Sequence, residues 1–551
     1  MENVSDLLMK HNQLVATRYN YDTVNQRIAD LITPNNASFT SKTTEGQRKD
    51  QQQYDSTGAM ALDRFASAIE SILIPRSQRW HKLVAVEPIL NDDQEVKLYL
   101  EEVTDILFRY RYQAKSGFVG SSGEYLRSLG AFGTGVNSIE DNLGGGIRYQ
   151  SHFIGQMYLA NDPSGLVDVV HRKFEFTAKQ AYQMFPDTQS SQRYKEICDK
   201  DPMQKLEFVH MVQPNKEYDP NAMDIRRMPI VSYYVCLTTQ SIVRKSGYFT
   251  MPYVAGRLTT SPQEAYGKSP AWACLSTLNV VNEMSKTQLK AGQRAVDPPL
   301  MAVDDDSLSS FNMKSGHINW GALDEQGRQK VQPFVSGVNL NISMEMIETE
   351  RKVINDAFYI TLFQIMVESP SMTATEAMLR AQEKGALLAP AMGRQQTEFL
   401  APSIERELDI LGRAIDHRGR SVLPRMPDVL REAGGNVEIE YTSPINRLQR
   451  TEDGVAILRT LESVMPLAQI DPSVLNIFHP ERMAKELAEV NGVPATCFRT
   501  PKELEELAKA QAKQAEMQQL LEAAPVAGKV ISDLSRAQGQ AQNQPQSAGF
   551  Q

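Results

Sequence analysis

The chain has 551 residues, 41% of them hydrophobic and 23% charged, the balance of a folded protein large enough for several domains. Sixty-seven acidic against 58 basic residues leave a formal charge of −9, which argues against a protein that grips nucleic acid over a wide basic surface but not against one past which DNA slides. No apolar run approaches the roughly 18 residues that span a bilayer, and MENVSDLLMKHNQ has no signal-peptide layout, so a cytoplasmic site of synthesis and no membrane partner are expected.

In chain order, Leu7, Leu8, Val15, Tyr19, Ile28 and Leu31 recur at helical spacing and predict a helix over 5–32, stopped by Pro34. The polar stretch 35–53 reads as a surface loop. A second helix from Ser56 to Ile74 turns Met60, Phe65, Ile69, Ile72 and Leu73 inward and ends at Pro75. A short strand over 80–86 and helices over 92–114 and 121–129 follow. The pattern then changes to β, with turn signals NLGGG and NDPSG between runs of strand formers. Gly130, Gly133 and Gly135 precede a strand, with no following Lys or Ser, so tight turns are expected there and not a phosphate loop. A helix over 177–185 and strands over 206–212 and 230–237 complete this mixed region.

An aromatic, proline-bearing segment (Tyr248, Phe249, Pro252, Tyr253) leads to Ser269-Pro270, a helix start in which the cap hydroxyl meets an orphan amide and the proline needs none. The pattern predicts one uninterrupted helix of about 26 residues, roughly 39 Å long, ended by Asp297-Pro298-Pro299. Its apolar stripe is thin: Cys274, Leu275, Leu278, Val281, Leu289 and Val296, interrupted by Ser285 and Gly292. Such a helix needs neighbours, from its own chain or from identical ones. Residues 297–340 form an excursion with acidic Asp297, Asp304, Asp305, Asp306, Asp324 and Glu325 against basic Lys314, Arg328 and Lys330, anchored by Trp320 and Phe334. A second long helix opens at Ser343 with Ile347, Ile354, Phe358 and Phe363 inward. The break VESPSMTA (367–374) precedes further helices over 374–388 and 395–415, a strand over 437–441 and proline-punctuated helices over 445–530. Residues 536–551 are low-complexity and read as disordered.

No catalytic constellation stands out. The eight histidines are dispersed without HExxH spacing, and no GxSxG elbow or Walker loop is present. Adjacent carboxylates alternate faces in a strand, so Asp304, Asp305 and Asp306 suit a solvated loop better than one metal ion. Cys198, Cys236, Cys274 and Cys497 form no CxxC pair and read as buried free thiols, without metal, disulfide or cofactor. Lys286, Lys290 and Arg294 line one helix face over about 12 Å. They are a solvated face, helped by cations near a helix C-terminus, or pairs with Glu345 and Glu348 of the second helix, or else basic rings lining a channel once repeated by symmetry.

The run SGY, FTMPYVAGR, EAYGKSPA and the helix to DPPL, with the earlier RFASAIESILIP and RW and the later SMTATEAMLR, resembles the portal protein (head-to-tail connector) of short-tailed, podovirus-type bacteriophages over about residues 15–510. That resemblance implies an α+β, predominantly helical portal fold in a ring of twelve copies at one capsid vertex of the virion. It divides the chain into wing (1–268 and 375–444), stem helices (269–296 and 341–363), clip (297–340), channel loop (364–374), crown (445–535) and tail (536–551). It places Lys286, Lys290 and Arg294 in a DNA channel and Glu368, Ser369, Pro370, Ser371 and Met372 in the channel loop. Asp304, Asp305, Asp306 and Trp320 fall in the clip that meets motor and adaptors. The implied partners are the terminase large subunit, scaffolding protein, major capsid protein, tail adaptors and double-stranded DNA, with assembly in the bacterial cytoplasm and no enzymatic activity. Competing readings are a capsid-associated shell or scaffold protein, and a metal-dependent packaging nuclease with clip carboxylates.

Overall fold

In the computed structural model the described residues lie between Asn3 and Lys513, apart from 35–37, 41–52, 303–317, 319–322, 334–339, 368–387, 442–453, 467–476 and a number of shorter segments. The chain divides into two units. The larger holds Met1–Lys82, Val103–Pro424 and Ile439–Gln449; the smaller holds Leu83–Glu102, Arg425–Glu438 and Arg450–Gln551. Helices and strands mix throughout, with helix the more abundant, an α+β fold of predominantly helical content.

The larger unit opens with α1 (Val4–Ile32) and α2 (Thr57–Leu73). In α1 the periodicity locates the helix but not its inner face. Leu7 and Ile28 are buried as expected, yet so are His11, Arg18 and Asn25, while Val15 and Tyr19 are exposed. Arg18 explains this. Its guanidinium donates to the Ile154 and Met157 carbonyls at 3.1 and 2.7 Å, and its ring partner is Tyr158 at 3.9 Å. Those acceptors are about 140 residues away in sequence, beyond the reach of a local pattern. In α2, Phe65, Ile69, Ile72 and Leu73 are inward, but Met60 is 53% exposed.

Strand β1 (His81–Ala85) and helices α3 (Gln94–Arg111) and α4 (Phe118–Phe132) follow. The glycines expected in turns divide. Gly133 caps α4 in the left-handed region at φ 77°, the conformation glycine adopts without penalty. Gly130 lies inside α4, where a Cβ would sit 2.7 Å from Leu62 and Phe65 of α2; Gly135 lies in a strand against the Tyr125 ring. Those two are small because helix and strand approach closely.

Strands β2 (Thr134–Asn142), β3 (Gly146–His152), β4 (Met157–Asn161) and β5 (Val167–Thr177) come next. Then come α5 (Ala178–Met184) and α6 (Ser191–Lys200), the latter not anticipated from sequence. Strands β6 (Lys205–Pro214), β7 (Ile230–Cys236), β8 (Ser241–Tyr248) and β9 (Tyr253–Arg257) complete two antiparallel sheets, β3-β2-β9 and β4-β5-β6-β7-β8. The five-stranded sheet shows period-two sorting. Phe174, Leu206, Phe208, Tyr234 and Cys236 face α5 and α6, while Val209, Met211, Val231, Tyr233 and Val235 face Leu7 of α1.

Beyond the helical hairpin described below, residues 388–395 are helical, Gln396–Leu400 form a π turn, and α11 (Ala401–Arg413) continues. Pro402 has no N–H to close an α turn on Glu398, and the helix widens there. This segment is tied to β9 and to the end of α3 by two buried ion pairs. Arg257 Nε donates to Glu398 at 3.0 Å, and Arg111 Nε donates to Glu407 at 3.1 Å. Tyr149 also donates to Glu407, at 2.6 Å, and Trp80 and Phe108 face the Arg111 guanidinium. Burying such charges is tolerable only because each is multiply bonded.

In the smaller unit Asn91 brackets the end of β1, accepting from Ala85 N at 2.8 Å and donating to Ala85 O at 2.9 Å. Helix Pro480–Val490 packs through Val490 and Leu487 on Gly454, which opens the helix over 454–466. The expectation of buried thiols holds for Cys236 and Cys274; Cys198 is half-buried and Cys497 is exposed. Among the described residues no helix is long and apolar enough to cross a membrane.

Candidate functional site

The expected long helix exists as two pieces. Ser269 caps α7 (Pro270–Ala273), its Oγ accepting from Trp272 N at 2.9 Å and donating to Ala131 O at 2.8 Å. The same hydroxyl therefore starts the helix and ties its root to the end of α4. Cys274 then leaves helical geometry, at φ −103° and ψ 18°, before α8 (Leu275–Val296) resumes. Burial pushes the Cys274 thiol up to about 11, so it is a packed, un-ionised side chain.

The chain leaves α8 through β10 (Leu300–Ala302) and returns through β11 (Val331–Pro333), which pair antiparallel with Leu300 opposite Pro333. It then enters α9 (Leu340–Ala357), which packs beside α8. Ladder and helices make a helical hairpin. The expected inward residues are buried: Ile347, Ile354, Phe358 and Phe363. The second helix is not continuous, however. Tyr359 adopts φ 58°, and α10 (Ile360–Val367) departs after it. Phe358, buried against the Phe65 ring of α2 at 6.1 Å, holds the bend in place.

A short segment before α2 fastens the hairpin, and sequence reading missed it. Tyr54 N donates to Asn282 Oδ1 of α8 at 2.7 Å. Asp55 receives Arg351 of α9 at 2.7 and 3.2 Å, Thr57 N at 2.8 Å and the Ser285 hydroxyl of α8 at 3.4 Å. Burial alone would raise the Asp55 carboxyl; hydrogen bonds from Thr57 and Arg351 outweigh it and hold the group below the usual carboxylate range. The signal was present in Ser285, a hydroxyl interrupting an apolar stripe.

The three basic residues of α8 are on this hairpin. Lys286 Nζ lies 3.0 Å from Glu283 of its own helix and 5.6 Å from the Tyr54 ring. Of the alternatives for this face, pairing of Lys286 with the second helix is not what is seen; Glu348 of that helix pairs with Arg351 at 2.8 Å. Lys290 and Arg294 are exposed on the last turns of α8, where cations oppose the helix C-terminus favourably. Leu289 and Val296, expected in the apolar stripe, are 56% and 88% exposed, and Met344, Met346 and Val353 of α9 are exposed too. Asp304, Asp305, Asp306 and Trp320, and Glu368, Ser369, Pro370, Ser371 and Met372, lie outside the described residues. Among the described residues no cluster of three His, Cys, Asp or Glu side chains could hold a metal ion.

A helical hairpin rooted in a mixed α+β body is one half of the comparison; the chain itself supplies the other. Residues 4–498 match the family model described as bacteriophage head to tail connecting protein. The chain belongs to that family. Its relatives include the portal protein of Salmonella phage epsilon15, 26% identical over 541 residues, covering 97% of this chain and 95% of the relative. A probable portal protein of Bordetella phage BPP-1 is 25% identical over 502 residues, covering 88% and 87%. Among solved structures, the chain is similar to one from the neck of an empty gene transfer agent particle, at 12% identity and a TM-score of 0.38, covering 79% of this chain and 94% of that one. Membership carries the head-to-tail connector role and favours it over a shell, scaffold or nuclease reading.

Proposed function

We propose that the chain assembles as a closed ring, of twelve copies, at one capsid vertex of a phage virion, and that DNA enters and leaves through its bore. The observation that carries this reading is the family match over residues 4–498, joined to a hairpin that keeps Leu289, Val296, Met344, Met346 and Val353 in solvent. Exposed apolar side chains along a long helical pair are what neighbouring copies would cover. In this reading α7–α8 and α9 are the stem, 297–340 the clip, 364–374 the channel loop, and 445–535 the crown. The wing takes 1–268 and 375–444.

The chemistry of such a conduit is physical. Each phosphate neutralised by Lys or Arg adds affinity, so a strongly basic tube would hold the duplex still. A net charge of −9 with a few basic positions in the bore allows sliding. Lys290 and Arg294, exposed on one side of α8, are the positions assigned to such rings, with Lys286 partly neutralised by Glu283. The clip, with Trp320 and Asp304 to Asp306, is assigned to docking of a separate packaging motor and later of tail adaptors. The loop Glu368 to Met372 is assigned to the bore. Scaffolding and major capsid proteins meet the outside of the ring. The chain itself performs no hydrolysis in this scheme and needs no cofactor.

Charge reversal tests the channel. Lys290→Glu with Arg294→Glu leaves ring yield unchanged and lowers the DNA packaged per capsid. Normal filling and retention by the double variant would remove α8 from the bore wall. Failure to form rings would place these residues in the subunit interface.

A further inference from the structure

We propose that the N-terminal half of α1 is fastened to the five-stranded sheet by an acid-sensitive latch, released when His11 takes up a proton. His11 sits on the inner face of α1, 4% exposed, with its ring edge-on to Tyr158 of β4 at 4.9 Å and 5.7 Å from the His171 ring of β5. Its Nδ1 is buried without a hydrogen-bond partner among the described residues.

The charged groups around it are mostly cations. Lys173 of β5 and Arg18 of α1 both act on His11. Lys10 of α1 reaches across to Gln213 of β6 at 3.4 Å. The cations that act on it have carboxylate partners of their own: Arg18 meets Asp22 at 2.9 Å, and Lys173 meets Glu207 of β6 at 3.0 Å. Burial first, then Lys173 and Arg18, hold His11 down to about 4. Among the described residues no carboxylate bonds His11, so a charged imidazole there would lack an anion. Lifting the first turns of α1 would restore its hydration.

Two other buried histidines of this region, His210 and His152, differ in kind; His171 is buried on the sheet face that His11 meets. His210 is bonded on both ring nitrogens, to Tyr253 and Ser232 at 2.7 Å each, and His152 Nε2 lies 2.8 Å from the Ser138 hydroxyl. Arg172, which acts on both of them, is next to His171 in β5 and so turns to the opposite face of the sheet. His152 and His210 belong to strands and gain water only if the sheets come apart. His11 is covered by its own helix, whose outer residues Met9 and Val15 are exposed.

The sign follows from the lowered value. Docked α1 binds fewer protons than undocked α1, so docking is strongest above the ordinary histidine range near 6.5 and weakens as pH falls towards 4. Hydrogen exchange on the full chain reads this directly. Relative to intrinsic exchange, protection of amides over residues 8–14 should fall about tenfold per pH unit between about 6 and 4.5, while β6 amides keep theirs. His11→Gln should flatten that slope. If His11→Gln is already undocked at pH 7, Lys173→Gln takes over the test: removing a facing cation must move release to lower pH. Protection independent of pH, a slope retained in His11→Gln, release unmoved in Lys173→Gln, or simultaneous loss at β6 would each overturn the latch.

Discussion

Asp55 shows how much a single carboxylate can organise. It stands two residues ahead of α2, yet its bonds reach Arg351 on α9 and Ser285 on α8. Its side chain is only 6% exposed, whereas Arg351 is 37% exposed, so the pair is strong through its hydrogen bonds more than through charge alone. Asp55→Ala leaves Arg351 with Glu348 alone and strands the amide of Thr57, and should cost about 1.5–3 kcal/mol, the range for hydrogen bonds to a charged group. The loss should appear as a lower urea midpoint at pH 7 that converges on the parent as pH falls. The reason is that a depressed carboxylate stabilises above its unfolded value and ceases to do so once protonated. A constant gap down to pH 3 would show that Asp55 acts through packing and not as an anion.

At the scale of elements, the bend at Tyr359 makes the sharpest demand on the backbone. An aromatic residue at φ 58° is costly because its Cβ crowds a carbonyl, and only the burial of Phe358 beside it keeps the helix from straightening. Asparagine tolerates that conformation and β-branched residues do not. Thermal unfolding should therefore rank Tyr359→Asn above Tyr359→Ile by about 1 kcal/mol. Equal stabilities would mean that the helix runs straight through the position.

The breaks at Cys274 and Tyr359 also mark where the sequence stops being legible. Apolar periodicity located both helices and the inward set Ile347, Ile354, Phe358 and Phe363. It could not show the two interruptions, because neither carries Pro or Gly; each arises from docking of the flanking residues on α2 or α4. In the same way β4 to β7 of the five-stranded sheet lay in visible runs of strand formers, while β8 was not anticipated. The inner face of α1 was not visible, because Arg18 is buried by partners distant in sequence. The basic face of α8 was readable as a stripe, and the clasp at Asp55 was not, since it belongs to no periodic segment.

For the whole molecule, the hairpin decides between a free-standing subunit and one part of a ring. A single copy leaves Leu289, Val296, Met344, Met346 and Val353 in water, on helices whose buried faces are already occupied by the chain's own α2 and by each other. In the proposed ring those side chains are covered when copies pack side by side. The most direct measurement is native mass spectrometry of the purified protein, read together with averaged electron micrographs. The account predicts closed rings of twelve copies of the 61.7 kDa chain, about 740 kDa in all. A monodisperse 61.7 kDa monomer at micromolar concentration, or open shells in place of rings, would contradict it.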